Sequence, residues 1–191
     1  MSDLFLIDVH GVLIPRWWCN EAREYAHKHM GWPKGKRSRE IIDALPEEQR
    51  NDAWMKRHQF GAHYAQTSQE VLGDHPDDKD HITLVLSLLL GRGQGRWAFY
   101  SGGNHHYVRQ EIMAWAPTFM HQQLEDIPFA GRLFYHEPDK PDPHILRMAR
   151  NLLPPADKIF FFDDEYIEVP EMEHVPTSGP RILSVHLMKM L

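Results

Sequence analysis

Twice along this chain a run of consecutive apolar residues with high β-propensity stops at an aspartate. Leu4-Phe5-Leu6-Ile7 runs into Asp8-Val9-His10-Gly11, and Ile159-Phe160-Phe161-Phe162 runs into Asp163-Asp164. Apolar residues in succession, rather than in alternation, mark a strand covered on both faces, as inside a parallel sheet. Polar groups that end such a strand emerge at the carboxyl edge of the sheet, where open α/β sheets bind their ligands. Asp8 is therefore expected at that edge, with Pro15 breaking the extended stretch after Ile14. Taken alone, the opening stretch reads equally well as a strand followed by an ordinary Asp/Gly turn. The downstream recurrence is what favours a site.

Trp97-Ala98-Phe99-Tyr100 is another expected strand, ending at Ser101-Gly102-Gly103-Asn104. Ser101 is followed by two glycines that let backbone N–H groups approach an anion before a helix opens near Asn104, although Ser and Asn are also preferred helix caps. Gly131-Arg132-Leu133-Phe134-Tyr135 and Arg181 to Val185 are further strand candidates. Lys140-Pro141-Asp142-Pro143 opens a helix through Asn151, because proline suits a first turn. Ile82 to Leu90 reads as a buried helix that stops at Gly91-Arg92-Gly93-Gln94-Gly95. Those glycines lie between a helix and a strand, the reverse of the order that seats a phosphate on a helix N-terminus, so they read as a turn.

Residues 15 to about 80 lack strand alternation and read as a helical insertion. Helices are expected around Trp17 to Tyr25, Arg39 to Leu45 and Trp54 to Ala65, separated by Gly31-Trp32-Pro33 and Leu45-Pro46. Pro46-Glu47-Glu48 looks like a helix start, with acids at the positive end of the dipole. The aromatic residues of this region are expected to pack a small core rather than line a substrate pocket. Asp74 to Asp80 reads as a turn back to the sheet and lacks the spacing of a calcium loop.

At 191 residues, with 42% hydrophobic and 25% charged residues, the chain suits one globular core with an excursion. Its 21 basic against 27 acidic side chains, a net charge of -6, argue against a broad surface for nucleic acid or anionic membrane. A single cysteine, Cys19, excludes an internal disulfide framework, and with no signal-like start or apolar span of about 20 residues the expected compartment is the cytosol. The 14 histidines are scattered without zinc-ligand spacing, and His105-His106 is expected mostly at the surface.

Asp8, Ser101, Lys140 and Asp163-Asp164 thus gather along one edge, and in this order they resemble the four motifs of the haloacid dehalogenase-like hydrolase superfamily. The resemblance covers residues 4 to 14 and about 96 to 169, and is most specific at Lys140-Pro141-Asp142-Pro143 and Phe160-Phe161-Phe162-Asp163-Asp164. It implies an α/β fold with a doubly wound, Rossmann-like parallel sheet in residues 1–14 and 81–191, and residues 15–80 as an inserted helical cap. It further implies that Asp8 is a nucleophile and that Ser101, Gly102 and Lys140 hold phosphoryl oxygens. Mg²⁺ would be bound by Asp8, Asp163, Asp164 and the backbone carbonyl of His10, a hard oxygen set of the kind this ion prefers. Two positions depart from the family pattern. His10 stands where most of these phosphatases carry a second Asp as general acid and base, and Glu168 stands where related sequences often have Asn.

The expected activity is Mg²⁺-dependent hydrolysis of a small phosphomonoester through an aspartyl-phosphate, with His10 as general acid and base; in the alternative, only the backbone of His10 matters and its ring packs under the cap. The competing functions are a dehalogenase or other carbon-centred hydrolase using Asp8, and a catalytically lapsed member that binds a phosphometabolite or a protein partner. Substrate identity and oligomeric state are left open by the sequence.

Overall fold

The computed structural model describes residues 3–68, 73–91, 97–137, 158–163 and 181–186, of which 3, 4, 130, 158–161 and 181–186 are described by backbone alone. Lys140, Asp164, Glu168, the helix expected from Lys140 and the glycine turn beyond Gly91 lie outside the described residues. Five strands, β1 (Asp3–Asp8), β2 (Trp97–Asn104), β3 (Phe129–Arg132), β4 (Lys158–Asp163) and β5 (Arg181–His186), form one sheet in the order β3-β2-β1-β4-β5. Every neighbouring pair is parallel, so the protein is α/β with its first strand at the centre of the sheet.

β1 ends at Asp8 instead of running on to Ile14. Gly11 takes φ 97°, a left-handed conformation open to a residue without Cβ, and the Val9 carbonyl accepts from the N–H groups of Leu13 and Ile14 at 3.0 and 2.8 Å. The stretch closes into a tight turn that sends Val9, Leu13 and Ile14 into the core. From it starts α1 (Arg16–Met30), which ends at Gly31 in the left-handed region. After α2 (Ser38–Asp43), α3 (Glu47–Thr67) begins behind Pro46 with Glu47 and Glu48 in its first turn, where carboxylates meet the positive end of the helix dipole.

Helix α4 (Pro76–Gly91) starts earlier than the expected turn allowed, with Asp77 and Asp78 in its first turn. It is also not buried all round. Ile82 and Leu86, one turn apart, face the core, while Leu84 and Leu88 are 59% and 62% exposed. No helix among the described residues is long and apolar enough to cross a membrane.

β2 runs through Ser101 to Asn104, past the expected end, because its ladder with β3 shifts register between Tyr100 and Asn104. Asn104 then caps α5 (His105–Trp115), its side-chain oxygen accepting from the N–H groups of His106 and Tyr107. Within α5 His106 is exposed and His105 half-buried, and burial lowers the pKa of the latter. A 3-10 turn and α6 (His121–Glu125) lead to β3, which is Phe129–Arg132 and not 131–135. The N–H groups of Leu133 and Phe134 donate to the Glu137 carboxylate, so the chain turns immediately after Arg132.

The aromatic residues at the start of the helical segment join the core of the sheet instead of forming one of their own. Trp18 stacks edge-on against Trp115 of α5 with ring centroids 5.9 Å apart, and Trp17 approaches the same ring at 6.2 Å. Ile7 and Phe99 from the sheet and Ile82 from α4 complete this cluster. Trp115→Ala removes the ring on which α1 and α5 meet and is expected to cost about 3–5 kcal/mol in urea denaturation. A loss below about 1 kcal/mol, the ordinary size of a surface substitution, would show that the ring is not packed as described.

Candidate active site

Parallel register gathers the polar strand ends. Asp8 pairs with Tyr100, which puts Ser101 one residue beyond it on β2. Ile7 pairs with Phe162, so Asp163 falls beside Asp8 on the other flank. Asp8, Ser101 and Asp163, expected from the sequence at the ends of neighbouring strands, stand there and are all buried. The Ser101 hydroxyl accepts from the Gly103 N–H at 3.1 Å and keeps its own proton to donate. Gly103 cannot carry a Cβ, which would sit 2.7 Å from Val108 and 2.9 Å from the His58 ring.

The side chain of His10 lines the cavity over this edge and is 28% exposed. Its Nε2 lies 2.6 Å from Oε2 of Glu111, a carboxylate only 2% exposed on α5. A buried carboxylate is costly unless paired, so this contact orients the ring, and an ionised Glu111 would accept from Nε2. Helix α3 makes room for the pair: a Cβ on Gly61 would lie 2.8 Å from Oε1 of Glu111. One turn earlier on the same helix, Arg57 donates to Nδ1 of buried His58 at 3.1 Å. Burial lowers the Arg57 pKa, and the charge of Glu111 opposes that effect.

The cavity has a volume of about 410 Å³, within the range of small-molecule sites. Among the described residues five arginines, Arg16, Arg23, Arg39, Arg57 and Arg132, reach it, against two carboxylates, Asp8 and Glu111. Arg132, buried at the end of β3, is stacked over the rings of Trp54 and Tyr135 at 5.1 and 5.2 Å and donates to the Tyr135 carbonyl. Trp54 therefore lines the cavity, contrary to the expectation that the aromatic residues of its segment serve packing alone. Glu111, Arg23, Arg57, His58 and Arg132 were not singled out from the sequence. Glu111 was accessible to it, since Val108, Glu111, Ile112 and Trp115 form one buried helical stripe in which a single acid stands out.

Among the described residues no three His, Cys, Asp or Glu side chains converge as a metal cluster. Asp8 and Asp163 are two, at adjacent buried strand ends. That is the number of protein carboxylates Mg²⁺ ordinarily takes while keeping several waters, so the pair fits this ion and falls short of a zinc site. Compared with protein-family models, with curated proteins and with solved structures, the chain matched none.

His58 gives the site a pH signature. Burial first, then the charges of Arg57, His10 and Arg132, push its pKa well below the ordinary 6.5; burial lowers that of His27 as well. The unfolded chain therefore takes up these protons before the folded one. The stability they contribute is complete above the unfolded value near 6.5 and is lost as pH falls from there toward the folded values. The melting temperature is expected to drop between about pH 7.5 and about pH 5.5, and His58→Gln is expected to flatten the drop. An unchanged slope in that variant would mean that His58 is protonated alike in both states.

Proposed function

We propose that this chain is a magnesium-dependent phosphatase of the haloacid dehalogenase-like type, with a doubly wound core and α1 to α3 as its cap, which hydrolyses a small phosphomonoester through an aspartyl-phosphate on Asp8. The observation that carries this reading is the contact of His10 with buried Glu111, two residues past the nucleophile. Such a phosphatase needs a proton donor for the leaving oxygen there, and an imidazole held by a carboxylate meets the need. Asp163 beside Asp8 favours phosphoryl chemistry over carbon-centred hydrolysis, because attack on carbon requires no second acid at that edge.

In the first step a carboxylate oxygen of Asp8 bonds to phosphorus as the ester P–O bond breaks, and the departing alcohol takes a proton from Nδ1 of the His10 imidazolium. In the second, a water oxygen bonds to phosphorus and passes its proton to Nδ1 as the aspartyl O–P bond breaks, releasing phosphate. Glu111 is a positioning residue that stabilises the imidazolium and fixes the ring. The Ser101 hydroxyl and the Gly102 N–H donate to phosphoryl oxygens, and Lys140 is assigned the same task. Asp8, Asp163, Asp164 and the His10 carbonyl would hold Mg²⁺, which when bound would supply charge neutralisation at the phosphoryl group.

Wild-type protein is expected to release phosphate from p-nitrophenyl phosphate or an alkyl phosphate, and to stop in excess EDTA or on Asp8→Asn. Turnover that survives either treatment would exclude the mechanism. His10→Ala is expected to lose about 10² to 10⁴ in kcat, more on the alkyl than on the aryl ester, since a good leaving group needs less acid catalysis. Glu111→Gln is expected to lower kcat with little change in KM and to show the same dependence on leaving group. Gly61→Ala sharpens the test, because in a helix interior this change ordinarily stabilises by about 1 kcal/mol. Here the new methyl would lie 2.8 Å from Oε1 and displaces the Glu111 carboxylate from its pairing, so kcat should fall and the ordinary gain in stability should be lost. Full activity in both Glu111→Gln and Gly61→Ala would leave the carboxylate without a catalytic part.

A further inference from the structure

The cavity above Asp8 holds more positive charge than one phosphoryl group calls for. The chain as a whole carries a net charge of -6, yet among the described residues five arginines meet two carboxylates here. Both carboxylates have roles already, Asp8 as nucleophile and Glu111 on His10. Arg132 is committed to the rings of Trp54 and Tyr135, and Arg16 and Arg39 stand exposed at the rim. Arg23 on α1 and Arg57 on α3 are different. Among the described residues, the Nε atom of each is buried without a hydrogen-bond partner. Their guanidinium groups are close enough that the charge of Arg23 helps to lower the pKa of Arg57. Glu111 offsets part of the Arg57 charge and His58 accepts from its guanidinium, but neither fills the Nε donors, and buried donors left unfilled are unfavourable until an anion meets them.

Building on the phosphatase reading, we propose that the substrate is a phosphomonoester whose alcohol part carries a second anionic group, a carboxylate or a second phosphate, bound by Arg23 and Arg57. The planar guanidinium fork matches the oxygens of either group, and about 410 Å³ admits a compact molecule with both ends charged. The phosphoryl end would lie at Asp8 and Ser101 on the sheet edge, and the second anion against α1 and α3. Selection among phosphoesters then comes from the part of the substrate that does not react, and an uncharged alcohol would leave the two arginines unpaired.

The test uses three ligands on one carbon skeleton: glycerol phosphate, phosphoglycerate and glycerol bisphosphate. Their dissociation constants are measured by calorimetry on Asp8→Asn protein with Mg²⁺, and their hydrolysis on wild type. Either or both doubly anionic ligands are expected to bind about tenfold to a hundredfold tighter than glycerol phosphate, the effect of charge-assisted hydrogen bonds, and which of them does so identifies the second group. Arg57→Gln and, independently, Arg23→Gln are expected to bring that ratio toward one; Arg57→Lys, which keeps the charge but not the fork, should restore part of it. Equal affinities for all three ligands would overturn the proposal, as would an undiminished ratio in both glutamine variants. Preferential binding of a doubly anionic ligand without hydrolysis by wild type would leave the anion site standing and overturn the phosphatase reading instead.

Discussion

The two parallel ladders that flank β1 set the spacing of Asp8, Ser101 and Asp163, and with it the chemistry open to the sheet edge. Side chains alternate between faces along a strand, so a one-residue slip in either ladder would carry an apolar residue to the place of a polar one. The slip is opposed from inside the sheet. Ile7 and Phe99 belong to the same packed cluster, and the Phe5 and Phe162 rings meet across the β1–β4 pair at 5.8 Å. The apolar run that makes β1 a buried strand is thus also what holds its terminal carboxylate in register with its neighbours.

A second constraint runs perpendicular to the first. Burying Glu111 among helices is unfavourable unless its charge is answered, and the answers come from different elements: His10 from the turn after β1 and Arg57 from α3. Gly61, Ala62 and Ala65 give α3 a face of small residues, which brings that helix close enough for the carboxylate to occupy the space a Cβ would fill at Gly61. The loop that carries His10 is therefore tied to α5 through Glu111, on which Arg57 of α3 also acts, while Gly11 fixes its path through a backbone conformation.

The strand ends were legible because strand burial is written locally, as a run of apolar residues closed by an acid or a serine. Asp8, Ser101 and Asp163 could be placed in one edge on that basis before any coordinates. Boundaries decided by tertiary contacts could not: β3 stops at Arg132 because Glu137 captures the next two N–H groups, and β2 outlasts its apolar run because its register with β3 shifts. Helix α4 shows the same limit, since nine residues from Ile82 to Leu90 signal burial without telling which side a neighbour will cover. The arginines were the least legible part. Arg23 and Arg57 sit on helices where a charged residue ordinarily meets water, and the sequence carries no sign that their Nε atoms are buried where α1 packs on α3. Glu111 and His58 left a trace, a polar residue at a position whose helical neighbours are buried, which a stripe-by-stripe reading would have caught.

The central place of β1 bears on how the chain acquires its structure. Phe5 pairs with Trp97 on one side and with Phe160 on the other, so both partners of β1 lie far downstream of it in sequence. Pairings so distant in sequence close slowly, and an apolar strand left waiting is exposed to misassociation. The turn at Gly11 shortens that exposure: it folds Leu13 and Ile14 back toward α1, whose Trp18 and Ala22 follow at once in sequence and share their core. Nascent β1 thus has an apolar companion within two dozen residues. The helical segment gives β1 apolar neighbours close in sequence, whereas its hydrogen-bonding partners lie far along the chain.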